Sequence, residues 1–346
     1  MSTSLLGIGV AVPETVLERD QVVAGARRIF AGGTADIDRL LPIYANAGVD
    51  KRHSCVPLDW YFRPCSWSER NTLFLDNALD LMEQAASRAI EEAGLTVEAI
   101  DVIIAVSSTG IATPSLDARL MERMAFRRDV ARLPIFGLGC AGGVLGLARA
   151  AALAAGQPRA RILLVVVELC GLTFRSNDQS NANVVATALF GDGAAAVVLG
   201  PAAGRPRITG WGEHTWPQSL DVMGWRVEDD GFGVLFAQSI PLLVRERFRP
   251  ALDAFLAGQG LDARAIDHYV CHPGGAKVLA ALEQALGLAP GRLAEERAIL
   301  REFGNMSAAT VLFILHRRLQ GGISGRSLMT ALGPGFTAGF LLLEAP

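Results

Sequence analysis

Thirty-three residues separate Ser107 from Cys140, and the same interval separates His272 from Asn305. In each case a short β-rich run ends at the first residue, and a turn of small residues that opens a helix lies at the second. Residues 102–106 lead into Ser107-Ser108-Thr109-Gly110, and Gly139-Cys140-Ala141-Gly142-Gly143 starts a helix that runs to about residue 155. Residues 267–271 lead into His272-Pro273-Gly274-Gly275, and Gly304-Asn305-Met306-Ser307 starts a helix over 308–319. Such a repeat predicts two similar units, 1–205 and 206–346, joined near residues 200–207. Packed face to face, they bring the Cys140, His272 and Asn305 turns together.

The remaining pattern fits that plan. Leu75, Leu79, Met82, Ala86 and Ile90 recur at helical spacing over 73–93, and Gly94 is a natural stop. A second helix is expected over 114–125. Residues 162–167 form an unbroken apolar run, the signature of a strand covered on both faces. Gly191-Asp192-Gly193 opens another strand, 194–199. In the second half helices are expected over 241–257 and from 276, and Gly333-Pro334-Gly335 precedes a strand over 336–344. Strands alternating with helices predict an α/β layered fold.

Composition narrows the partners. With 51% hydrophobic and 19% charged residues the chain fills a thick core, and a net charge of −3 without a basic block argues against nucleic acid and anionic membrane surfaces. Five cysteines, an odd number without Cys-x-x-Cys spacing, suggest neither a disulfide framework nor a zinc site. Reduced thiols point to a cytoplasmic protein. Residues 5–12 lack the positive lead of a signal peptide, and 162–167 falls far short of the roughly 20 apolar residues of a membrane helix, so no membrane insertion is expected.

Cys140 carries the chemistry. A thiol at a helix start feels the unpaired N–H groups there, which lowers a thiol pKa from about 8.5 towards roughly 3.5–7.5. Taken alone, Cys140 also fits a packing turn, His272 a structural histidine, and Asn305 a helix cap. Taken together, they form a Cys/His/Asn set suited to acyl transfer. The cysteine is the nucleophile, the imidazole stabilises its thiolate, and His and Asn N–H groups face a developing oxyanion.

These turns also carry a resemblance. Together with Ala188-Leu189-Phe190-Gly191-Asp192-Gly193-Ala194 and Gly333-Pro334-Gly335-Phe336, they make the chain resemble the type III polyketide synthases, the chalcone synthase-like branch of the thiolase fold, over nearly its whole length. The resemblance implies a duplicated five-layer αβαβα architecture and a homodimer in which Thr113, before Pro114, reaches the partner's cavity. It implies acylation of Cys140 by an acyl-CoA starter, while His272 and Asn305 hold the enolate of decarboxylated malonyl-CoA. CoA thioesters are then substrates, and no resident cofactor or metal is implied. Phe190 matches the family's gatekeeper, and Val234 falls where a second gatekeeping phenylalanine is expected. Lys51, Arg52 and Lys277 lie in regions that bind CoA phosphates in relatives, though each also reads as a solvated charge.

By the same resemblance the cavity lining falls on Ser108, Thr113, Cys170, Thr173 and Gly224. All are small, which leaves room for a long apolar starter worth roughly 0.8 kcal/mol per buried CH₂. Cys170 also reads as an inert packing thiol. Trp211, Trp216 and Trp225 are candidates to bound a tunnel. The stretches 168–173 and 221–225 look most like bacterial alkylpyrone and alkylresorcinol synthases. Alternatives are a ketoacyl-carrier-protein synthase III-like enzyme performing one condensation, a type III synthase with malonyl or aromatic starters, and a thiolase-fold scaffold without activity.

Overall fold

The computed structural model describes residues 3–30 and 41–346. In chain order the strands are β1 (Thr3–Ala11), β2 (Thr15–Glu18), β3 (Lys51–Ser54), β4 (Val102–Val106), β5 (Ala131–Ile135), β6 (Ile162–Leu169), β7 (Asp192–Gly200), β8 (Arg207–Thr215), β9 (Met223–Glu228), β10 (Gly231–Phe236), β11 (His268–Cys271), β12 (Gly325–Gly333) and β13 (Thr337–Ala345). Nine form a mixed sheet ordered β11-β12-β13-β8-β1-β7-β6-β4-β5, while β2–β3 and β9–β10 pair separately. The sheet divides by origin: β5, β4, β6, β7 and β1 come from the first half, and β8, β13, β12 and β11 from the second. Only Thr3↔Ile208 and Ser4↔Arg207 join β1 to β8.

Side chains alternate between the faces of a strand, and here that alternation divides the core into three apolar layers. Ile104 and Val106 of β4, Leu164 and Val166 of β6, and Met329 and Leu341 of β12 and β13 share a central layer with the helices Gly142–Gly156 and Thr310–Gln320. Their neighbours Ile103, Ala105, Leu163 and Val165 face the outer helix Trp67–Glu92. On the other flank Leu328, Phe340 and Leu342 face the helices Arg249–Gly258 and Ala276–Leu286. Two half-sheets therefore sandwich a pair of helices and are themselves covered by helices. This is the duplicated αβαβα architecture of the thiolase fold. The stretch Gly139–Gly156 has the length and apolarity of a membrane span, yet most of it is buried in that central layer.

The helix expected over 73–93 begins six residues earlier, at Trp67 after the Ser66 cap, and three others differ as well. The helix expected over 114–125 is confined to Leu116–Leu120, because Met124 and Phe126 then turn into the core as the chain reverses towards β5. The helix expected over 241–257 comes in three parts, with a wide π turn, Val244–Phe248, between Ile240–Leu243 and Arg249–Gly258. Pro250 has no N–H to give the carbonyl four residues back, so the regular ladder breaks there. The helix after Asn305 begins at Thr310, preceded by a tight 3₁₀ turn, Ser307–Ala309. At the central contact an added Cβ on Gly143 would stand 2.3 Å from the Ala308 carbonyl oxygen, so only glycine lets the two central elements approach this closely.

Candidate active site

Cys140 occupies the middle of a 3₁₀ turn, Gly139–Ala141, that feeds the central helix Gly142–Gly156. Gly139 takes φ +47°, and a Cβ there would meet Pro334 Cδ at 2.6 Å, so the approach to the thiol demands glycine. Its N–H donates to Ser108 Oγ at 3.0 Å. The Ser108 N–H in turn donates to Glu168 Oε2 at 3.0 Å, and Thr109 Oγ1 donates to the same oxygen at 2.8 Å. The end of β6 thus braces the end of β4, and both brace the Cys140 turn.

The second half contributes the facing turn. Asn305 Oδ1 accepts the Ser307 N–H at 2.8 Å, which is a capping bond. That bond commits the carbonyl oxygen and leaves the Asn305 side-chain N–H₂ free to donate. Ser307 Oγ donates to Cys140 Sγ at 3.5 Å, and the Asn305 side chain lies near enough to lower the thiol's pKa. His272 follows β11, with its N–H donating to the Thr330 carbonyl at 2.8 Å. Its ring is buried, and neither ring nitrogen has a partner. Cys140, His272 and Asn305 line one small cavity of about 20 Å³, otherwise walled by Met223, Phe236, Ile240 and Leu332.

The electrostatics differ from the sequence expectation. Burial pushes the Cys140 thiol up to about 11, and only afterwards do the Ser307 and Asn305 bonds lower it. Burial also pushes the His272 imidazole down to about 3. Desolvation disfavours every charged form, and here it outweighs the helix-start field. The resting pair is a neutral thiol beside a neutral imidazole, not a thiolate–imidazolium pair. Glu168 is raised to about 8 by the same burial, against the pull of the donors from Ser108, Thr109 and Ser107.

A wider cleft of about 470 Å³, flanked by Asn46, Asn181, Gln238 and Lys277, shares Phe236, Gly274 and Val278 with the Cys140 cavity. Phe236 therefore stands between the cleft and the thiol. Val234, where the sequence expects a second gatekeeper, lines an adjoining surface cleft beside Arg175 and Arg226 that also includes Phe236. Period two along β10 puts Phe232, Val234 and Phe236 on one face, so the phenylalanine two residues further on was the available signal.

Phe190 ends the helix Asn181–Leu189 and lines an apolar cavity of about 70 Å³ together with Cys170, Thr173, Leu17, Val22 and Ala26. Charge on Cys140 is felt at Cys170, which places the second thiol near the first. Ser108 braces the turn instead of lining either cavity, and Thr113 is exposed ahead of a cis bond to Pro114. Gly224 lines neither cavity either. It lies in β9 opposite Leu235 with φ +148°, and a Cβ there would have Pro334 as its nearest neighbour, at 3.8 Å. Trp225 packs edge-on against Phe190, Trp216 is core against Phe336, and Trp211 packs on the central layer.

Arg52 is no solvated charge. It is 5% exposed, and its guanidinium donates to the carbonyls of Thr187, Ala188 and Phe190. Lys51 and Lys277 are exposed. Sequence reasoning also missed Ser307 and Glu168: a serine two residues past an asparagine reads as a cap, and a carboxylate inside an apolar strand reads as a strand end.

Comparison with known proteins agrees with this geometry. Residues 2–203 match the family described as chalcone and stilbene synthases, N-terminal domain, and residues 212–345 match the corresponding C-terminal domain. The chain is 42% identical over 351 residues to a 1,3,6,8-tetrahydroxynaphthalene synthase of Streptomyces peucetius subsp. caesius, covering 99% of this chain and 93% of that one. It is 37% identical to a putative chalcone synthase of Bacillus subtilis (strain 168), covering 98% of each. The crystal structure of 1,3,6,8-tetrahydroxynaphthalene synthase from Streptomyces coelicolor A3(2), a bacterial type III polyketide synthase, superposes with a TM-score of 0.94 at 32% identity over 99% of both chains. With both halves matched and the fold shared throughout, the chain belongs to the chalcone and stilbene synthase family and is a type III polyketide synthase.

Proposed function

We propose that the enzyme loads an aliphatic acyl group from acyl-CoA onto Cys140 and extends it with malonyl-CoA by iterative decarboxylative Claisen condensation, releasing alkylpyrones or alkylresorcinols. One observation carries the catalytic part of this reading: Cys140, His272 and Asn305 line a single cavity that meets a wider cleft at Phe236. Cys140 Sγ attacks the thioester carbonyl, the thiol proton passes to the departing CoA sulfur, and CoA leaves as its thiol. Malonyl-CoA then loses CO₂. The electrons of that C–C bond form an enolate whose oxygen receives N–H donors from His272 and Asn305; its carbon attacks the acyl-Cys140 thioester, the C–S bond breaks, Cys140 leaves as its thiolate, and the extended chain remains on CoA. Both CoA thioesters are substrates, and the scheme calls for no resident cofactor. In this scheme Lys277, which lines the cleft, meets a CoA phosphate.

The aliphatic starter is read from the apolar cavity behind Cys170, Thr173 and Phe190. Each CH₂ of a tail buried there returns roughly 0.8 kcal/mol. A second reading, priming by malonyl-CoA itself, is favoured by the 42% identity to a tetrahydroxynaphthalene synthase. Mass spectrometry of products from malonyl-CoA, alone and with acyl-CoA starters of graded length, separates the two. Alkyl products whose mass tracks the starter support the first, and a starter-independent aromatic product supports the second.

The proposal includes a homodimer of cytoplasmic subunits, each built of halves 1–205 and 206–346. Ile111 and Phe136 are exposed at 46% and 57%, flanking Thr113 and the end of the edge strand β5, where a second copy would cover them. All five cysteines are free, as a reducing compartment requires. Light scattering at micromolar concentration tests the dimer, and a monomeric mass rejects it.

A further inference from the structure

Among the described residues, three side-chain polar atoms in the Cys140 cavity are buried without a partner: Nδ1 and Nε2 of His272, and Oγ1 of Thr330. Thr330 is 1% exposed and belongs to β12. The same residue is tied to His272 along the backbone, since its carbonyl accepts the His272 N–H at 2.8 Å. Every other wall of the cavity beyond Cys140, Asn305 and Gly274 is apolar: Met223, Phe236, Ile240, Val278, Leu282, Ala331 and Leu332. Buried hydroxyls and imidazoles are seldom left unbonded, because each orphan costs about 1–3 kcal/mol.

A neutral imidazole has one N–H and one bare nitrogen. Directing the N–H towards a substrate oxygen beside Cys140 requires that the other nitrogen accept a bond. Which nitrogen carries the proton is set by the bond the other one makes. Thr330 Oγ1 is the unpartnered donor in the cavity. The cavity volume, about 20 Å³, suits one water molecule.

We propose that Thr330 is a positioning residue for His272: its hydroxyl, through one bridging water, donates to the bare ring nitrogen and fixes the tautomer whose N–H faces the Cys140 side. The hydroxyl makes no contact with substrate in this arrangement. It acts by holding the imidazole in one protonation geometry between rounds of chain extension. This inference rests on the proposed role of His272 as an oxyanion donor, but its first test does not depend on that role.

The first test reads the ring directly. ¹⁵N NMR of histidine-labelled enzyme, with the His272 signals assigned by their loss in His272→Gln, gives the tautomer ratio in wild type, Thr330→Ser and Thr330→Val. One dominant tautomer is expected in wild type and in the serine variant, which keeps the hydroxyl, and a mixed or inverted ratio in the isosteric valine variant. An unchanged ratio in Thr330→Val overturns the proposal. The second test follows malonyl-CoA decarboxylation, where Thr330→Val should lower kcat several-fold with KM little changed. A valine variant of wild-type rate and higher Tm would mean that the hydroxyl is only an orphan in an apolar wall. Should Thr330→Val fold poorly, Thr330→Ser against Thr330→Ala makes the same comparison, and equal tautomer ratios in those two overturn the proposal. If wild type shows one tautomer but no decarboxylation, the reading of His272 fails while the Thr330–His272 link stands.

Discussion

Phe190 and Asn305 are joined by a parallel β-bridge that lies outside every strand: the Asn305 N–H donates to the Leu189 carbonyl at 2.7 Å, and the Gly191 N–H donates back to the Asn305 carbonyl at 3.0 Å. The aromatic wall of one cavity and the amide that lies near the thiol therefore share a rigid stretch of main chain. Arg52 clamps that stretch from below through the carbonyls of Thr187, Ala188 and Phe190.

Replacing Arg52 should loosen this unit. Arg52→Met leaves three buried carbonyls unpaired and is expected to cost about 2–3 kcal/mol. Arg52→Lys should rescue little, because a single ammonium cannot span the fork of carbonyls that a guanidinium does. Urea midpoints at constant m-value measure both, and a lysine variant as stable as wild type would count against the clamp.

The reactivity of Cys140 should follow a high thiol pKa. With the thiol raised to about 11 by burial, the thiolate fraction grows roughly tenfold per pH unit across the neutral range. Inactivation by iodoacetamide, tracked to Cys140 by peptide mapping, should climb from pH 7 to 9 without a plateau. A rate that is flat above pH 6 would instead indicate a thiolate–imidazolium pair.

Glu168 should make stability depend on pH. Its folded pKa of about 8 lies above the ordinary 4.5, so between those values the folded protein holds a proton that the unfolded chain has lost. That contribution is full below pH 4.5 and fades as pH rises through 8. Glu168→Gln, fixed as neutral, should match wild type near pH 5 and exceed its Tm by about 3 °C or more at pH 9. Parallel Tm curves for the two proteins would show that the carboxyl is ionised throughout.

Gly143→Ala should separate the facing turns. The new methyl would meet the Ala308 carbonyl oxygen at 2.3 Å, and overpacking of this kind costs about 1–3 kcal/mol. Because Ala308 follows Ser307 and Asn305, the strain falls on the groups beside Cys140. Activity should drop further than stability, whereas Ala at the unobstructed Gly156 should change neither. Equal loss in both variants would mean that the contact carries no weight.

Much of this was legible in the sequence. Val102–Val106 reads as a strand to the residue, because a strand buried on both faces is an apolar run cut short by polar neighbours. The joint placement of Cys140, His272 and Asn305 follows from the repeated interval, since equal spacing in two similar units puts equivalent turns at equivalent depth. Desolvation was not legible, because it depends on walls drawn from Met223, Phe236 and Leu332, far away in sequence. Ser307 escaped notice for a related reason: its bond to Cys140 spans 167 residues and leaves no local pattern. The π turn at Val244–Phe248 was foreshadowed by Pro250, whose effect falls on the turn before it.

That 167-residue separation governs how the site comes into being. A chain growing from its N-terminus completes the Cys140 turn well before Asn305 and Ser307 have been synthesised. The proposed nucleophile therefore exists for a substantial part of synthesis without the amide and hydroxyl that later meet it. On the proposed roles, acyl transfer waits for the whole chain, because the groups proposed to stabilise its charge arrive only when the second half docks through Gly143 and Ala308. Competence to react is thus delayed until the fold is whole, and a fragment ending before the second half should be chemically silent towards malonyl-CoA.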